Sequence, residues 1–143
     1  MPKRPGPPLG LLLANTAKIV NQVFDSELAK AGGSRPVWLI MITVKTLAPE
    51  NQRELAEAVG IEGATLTHHL NAMEKQGLIT RRRDPGNRRI HQVELTDAGL
   101  ELFHQLASTA RTHDKRLRAH LSGNDAATLE RLLRQLHENV SCG

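Results

Sequence analysis

Between residues 52 and 95 the chain gathers side chains suited to a polyanion. Arg81, Arg82, Arg83, Arg88 and Arg89 fall within nine residues, and only Asp84 opposes them. Guanidinium groups bind phosphate through paired donors and are drawn to the negative potential of a narrow minor groove. Just upstream, residues 63–71 read Gly-Ala-Thr-Leu-Thr-His-His-Leu-Asn. On a helix, Leu66 and Leu70 share one face, leaving Gly63, Ala64, Thr65, Thr67, His68 and Asn71 near the N-terminal outer face. Hydroxyls and amides so placed hydrogen-bond base edges in the major groove, and threonine methyls contact thymine. A basic cluster is more often a solvated face, so the surrounding elements decide its meaning.

Other chemistry finds little support. His68 and His69 are adjacent, so on a helix they point about 100° apart and do not share an ion. His104, His113 and His120 lack the four-residue spacing that pairs ligands on one helix face, and no His-Glu-x-x-His or Cys-x-x-Cys motif occurs. No metal site and no cofactor are expected. There is no phosphate-binding glycine loop, nucleophile elbow or acid–base pair, so an enzyme is the weaker class. Cys142 is the single cysteine, which excludes an intrachain disulfide and fits a reducing compartment.

The elements around the polar segment follow from periodicity. Leu9, Leu12, Leu13, Thr16, Ile19, Val20, Val23, Phe24 and Leu28 recur at helical spacing up to Gly32-Gly33. A second helix opens at Ser34 and Pro36 and runs through Trp38 and Ile42 to about Leu47. Its nearly all-round apolarity marks it as buried. Short helices over 52–59 and 64–76 stop at Gly60 and Gly77. Ala56 supplies a small residue at their approach and Gly60 the turn, with Leu55, Val59, Ile61, Leu66, Leu70 and Met73 as anchors. Together they predict a helix-turn-helix.

Then the period changes. Residues 78–83 and 90–95 read as strands joined by Asp84-Pro85-Gly86-Asn87, a hairpin. Thr96-Asp97 caps a long helix with a stripe reaching Leu117 and Leu121, and Ser122 with Asp125 caps a last one carrying Leu129, Leu132, Leu133, Leu136 and Val140. A basic hairpin directly after a helix-turn-helix is a wing. Its candidate contacts are Arg81, Arg83, Arg88 and Arg89.

These stretches resemble the MarR family of bacterial transcription regulators. The match lies in residues 54–61 (Glu-Leu-Ala-Glu-Ala-Val-Gly-Ile), 64–70, 73–79 (Met-Glu-Lys-Gln-Gly-Leu-Ile), 81–89 and 93–99 (Val-Glu-Leu-Thr-Asp-Ala-Gly). The resemblance implies a two-fold homodimer on double-stranded DNA, its first and last two helices packing across the axis. It implies a repressor of a pseudo-palindromic operator, released by a small aromatic or anionic effector. Arg89 aligns with the family's wing-tip arginine, while Asn87 stands where an aspartate is usual. Asn87 keeps a hydrogen bond to a guanidinium but not its charge-assisted part. Trp38, Met41 and Ile42 either line an effector cleft or belong to the core. Thiol sensing is not expected, since no cysteine lies near the first helix.

The expected fold is mainly α with a small β-hairpin: a winged helix-turn-helix with N- and C-terminal helices forming a dimerisation lobe. Within one structural domain, residues 1–8 form a flexible, Pro-rich start, 9–34 and 97–143 the dimerisation helices, and 35–96 the DNA-binding lobe. The terminal stripes carry more apolar surface than a small module covers, which marks an interface independently of the resemblance. No apolar run reaches the length of a membrane span and no secretory signal is seen, so a cytoplasmic location is expected. A net charge of +4 adds little by itself. The rival reading is a winged-helix module for protein interaction or for architectural DNA binding without sequence preference.

Overall fold

The computed structural model describes residues 5–84 and 86–142, with backbone alone at 83, 84 and 87–91. Helix α1 (Leu9–Lys30) starts directly after the proline-rich segment. It closes with Gly33 N donating to Leu28 O at 2.9 Å and Gly32 N to Ala29 O at 3.1 Å, a paired closure that satisfies two terminal carbonyls. Ser34 then caps α2 (Arg35–Leu47), its Oγ accepting from Val37 N at 3.3 Å. The cap and Pro36 fix where α2 begins, as the sequence predicts. The order continues with α3 (Gln52–Val59), α4 (Gly63–Lys75), β1 (Ile79–Asp84), β2 (Asn87–Leu95), α5 (Asp97–Leu117) and α6 (Gly123–Ser141). The result is a winged helix-turn-helix fold, mainly α with one antiparallel hairpin.

Contacts group the chain into two compact units, Met1–Arg111 and Thr112–Gly143. In the first unit, Leu28 of α1, Ile40 and Met41 of α2, and Leu55 of α3 are fully buried. So are Leu66, Leu70 and Met73 of α4, Ile79 of β1 and Leu106 of α5. Each contributes about 1.5–3 kcal/mol by leaving water. The core therefore sits beneath the helix-turn-helix and fixes the face α4 turns outward. In the second unit, Ser122 and Asp125 form a reciprocal capping box, with bonds of 3.0 and 3.1 Å. Arg118 donates to Asp114 at 2.8 Å and to Glu130 at 3.4 Å.

Two boundaries differ from expectation. The fifth helix ends at Leu117 rather than Leu121, because His120 adopts φ +65° and breaks the helical path. No glycine announces that stop. The hairpin strands are also longer than predicted. Pairing extends to Asp84 opposite Asn87.

The tightest approach lies where α5 begins. A Cβ added at Gly99 would sit 1.9 Å from the backbone oxygen of Leu78. Thr96 donates its hydroxyl to Gly77 O at 2.6 Å and accepts from Gly99 N at 3.0 Å. Its own N–H meets Leu78 O at 3.0 Å. Backbone cannot retreat as a flexible side chain can, so Gly99→Ala should cost about 3 kcal/mol. Thermal unfolding should fall by roughly 10 °C; a loss below 3 °C would show that the turn gives way freely.

Candidate nucleic-acid interface

Helix α3 is set by local bonds. Asn51 caps it, Oδ1 accepting from Glu54 N at 2.9 Å, while Glu54 accepts in return from Glu50 N at 2.9 Å. It ends at Gly60, φ +81°, whose N–H reaches Ala56 O at 2.9 Å; the N–H of Ile61 reaches the same oxygen at 3.1 Å. This left-handed turn costs a residue with a Cβ roughly 1 kcal/mol, which glycine avoids. It swings the chain into α4, with Leu55, Ala56, Leu66, Leu70 and Met73 buried between and beneath the two helices.

The outward face of α4 then carries Gly63, Ala64, Thr65, His68 and Asn71, all exposed, with Thr67 half-buried. Thr67 donates its hydroxyl to Gly63 O at 2.9 Å, which leaves its outward lone pairs as acceptors. The structure thus gathers the six helix residues singled out from sequence onto one helix. Among the described residues no group of His, Cys, Asp and Glu could hold a metal ion.

The arginines divide. Arg81 lies only 17% exposed in its side chain. It grips Glu74 with Nε at 3.2 Å and Nη2 at 3.0 Å, and its Nη2 donates to Asn71 Oδ1 at 2.7 Å. Arg82 is turned the other way, exposed, 3.7 Å from Glu94. The side chains of Arg83, Arg88 and Arg89 lie outside the described residues. Their backbone shows a register shift, with Arg83 opposite His91 but Asp84 opposite Asn87. Residues 88–90 therefore bulge from β2 without a counterpart. Glu74 was not singled out from sequence. Its partner is seven residues away, across a change from helix to strand, where periodicity carries no signal.

The three candidate effector residues lie on α2. Met41 is fully buried in the core, Trp38 stacks on Phe103 with ring centroids 5.7 Å apart, and Ile42 is half-buried. A cleft of about 360 Å³ opens elsewhere on the first unit, lined by Val44, Lys45, Pro49, Glu94, Thr96 and Leu100 among others. It does not include those three residues.

Gly60→Ala should cost about 1 kcal/mol, from backbone strain alone, because nothing lies within 4 Å of the added Cβ. Denaturant midpoints would measure it, and Gly60→Asn should lose less.

Comparison with known proteins agrees with this geometry. Residues 34–91 match the MarR family. The transcriptional regulator PA3341 superposes with a TM-score of 0.80 at 27% identity, covering 95% of this chain and 100% of that one. The transcriptional repressor CouR, bound to a 23-mer DNA duplex, gives 0.81 at 26% identity over 91% and 92% of the two chains. A MarR mutant from E. coli complexed with operator DNA gives 0.81 at 22% identity over 90% and 93%. The capped helix-turn-helix and most of the hairpin that follows it therefore lie within the MarR-family match over residues 34–91, on a fold shared with the MarR-type proteins it superposes on.

Proposed function

We propose that this protein is a sequence-reading DNA-binding regulator that acts as a homodimer. The observation that carries the reading is the exposed Thr65–His68–Asn71 face of α4, followed at once by the arginine-bearing hairpin. In this reading α4 enters the major groove, and Arg83, Arg88 and Arg89 serve the wing. Phosphate contacts there fix position, and base edges give sequence.

The dimer reading rests on the terminal helices, residues 9–34 and 97–143. Leu9, Leu12, Leu13 and Ile19 on α1 are exposed, as are Leu117, Leu121, Leu129, Leu132 and Leu133 in the second unit. Apolar rows of this extent mark an interface. Two-fold symmetry then requires an inverted repeat with half-sites roughly 34–36 Å apart. Repression, release by a small aromatic or anionic effector, and action in the cytoplasm complete the proposal. CouR, a repressor with DNA bound, supports the first of these. No helix among the described residues is long and apolar enough to cross a membrane.

Selection of bound duplexes from a random pool should enrich one inverted repeat. Arg89→Ala should then weaken binding to that repeat and lower the slope of log affinity against log salt by about one. Sedimentation should still report a dimer. Binding with no enriched sequence would favour an architectural role instead.

A further inference from the structure

One nitrogen ties the outer face of α4 to β1. Arg81 Nη2 has two partners, donating to Glu74 Oε1 at 3.0 Å and to Asn71 Oδ1 at 2.7 Å. Arg81 Nε meets the second carboxylate oxygen of Glu74 at 3.2 Å. A guanidinium is planar, so this paired hold by Glu74 fixes the direction of the other Nη2 hydrogen. That hydrogen meets an amide oxygen, because the amide NH₂ would set donor against donor. The Asn71 amide is therefore held in one orientation, with its NH₂ and the second lone pair of Oδ1 left for other partners. The Arg81 side chain is largely buried, whereas Glu74 and Asn71 lie on the exposed face of α4. A carboxylate in the last turn of a helix stands at the unfavourable end of the helix dipole, so α4 by itself gains nothing from Glu74.

We infer that Glu74 is a positioning residue for base recognition: through Arg81 it holds the Asn71 amide in the orientation in which Asn71 meets a base edge. The inference rests on the DNA-reading proposal above. An asparagine left free on an exposed helix face samples several rotamers and both amide orientations, and ordering it at an interface costs affinity. Glu74 removes that cost before DNA arrives, without touching DNA. An amide free to turn also adapts to a mismatched base edge, whereas a held amide does not. The hold therefore sharpens discrimination at the base pair Asn71 reads, whichever base that is.

The test compares wild type, Asn71→Ala, Glu74→Ala, Glu74→Gln and a double variant with both alanine changes. Each is bound to the duplex the wild type selects and to duplexes altered at one base pair at a time. The readout is the ratio of affinities, since losing a carboxylate raises affinity for every duplex alike. Asn71→Ala should flatten that ratio at one base pair per half-site, which identifies the pair Asn71 reads. Glu74→Ala should lower the ratio at that same pair roughly two- to tenfold and leave the others unchanged. Glu74→Gln keeps a carbonyl acceptor for Arg81 and should lose less. In the double variant, Glu74→Ala should add nothing to Asn71→Ala. An unchanged ratio in Glu74→Ala would overturn the inference, as would an equal fall at every base pair, the mark of a displaced wing. If Asn71→Ala flattened no position, the inference would fall while DNA reading stood. A wild type that enriches no sequence would instead remove the DNA reading itself, and the inference with it.

Discussion

Leu78 and Gly77 form a two-residue hinge point that four elements share. Leu78 N closes the end of α4 on Met73 O at 2.9 Å, and Leu78 O receives Thr96 N at 3.0 Å. Gly77 O receives the Thr96 hydroxyl, and Thr96 Oγ in turn accepts from the first turn of α5. One short piece of backbone therefore ends α4, starts β1, receives the end of β2 and supports the cap of α5. Only a glycine at position 99 lets α5 come that close. The wing cannot pivot on the helix-turn-helix without breaking several of these bonds together. Rigidity at the base of a wing sets where its distal arginines arrive, and so it precedes any question of affinity.

The arginine cluster looks uniform in sequence but is not uniform in space. Arg81 is spent inside the protein on Glu74 and Asn71, and Arg82 lies near Glu94. A count of positive charge over residues 81–89 overstates what is available to phosphate by at least the Arg81 contribution. Strand alternation explains the split, since Arg81 and Arg82 face opposite sides of the hairpin. The side toward α4 meets a helix that already carries carboxylate and amide groups. The bulge at 88–90 breaks this alternation.

Helices were legible in the sequence wherever apolar spacing coincided with a stop or a cap. Ser34, Gly60, Gly77 and Ser122 each mark a boundary that the structure keeps. The end of α5 was not legible, because His120 takes a left-handed conformation that its side chain does not advertise. The outer face of α4 could be read from Leu66, Leu70 and Met73 facing inward. The Arg81–Glu74–Asn71 grouping could not, since it depends on how a strand returns against the preceding helix. Local spacing describes one element at a time, and this contact belongs to two.

Helix α6 shows how the proposed dimer bears on folding. None of its residues is buried, although Leu129, Leu132 and Leu133 line one side. A 19-residue helix held by a capping box and a few exposed ion pairs is only marginally stable in water. In the proposed homodimer the second copy would cover that leucine row and so support the helix. Ordering of α6 and association then become one equilibrium, dependent on protein concentration. In the proposed dimer, that same association would set the spacing between the two copies of α4. On this view the exposed leucines are the means by which one chain's helix-turn-helix acquires a fixed distance from another's.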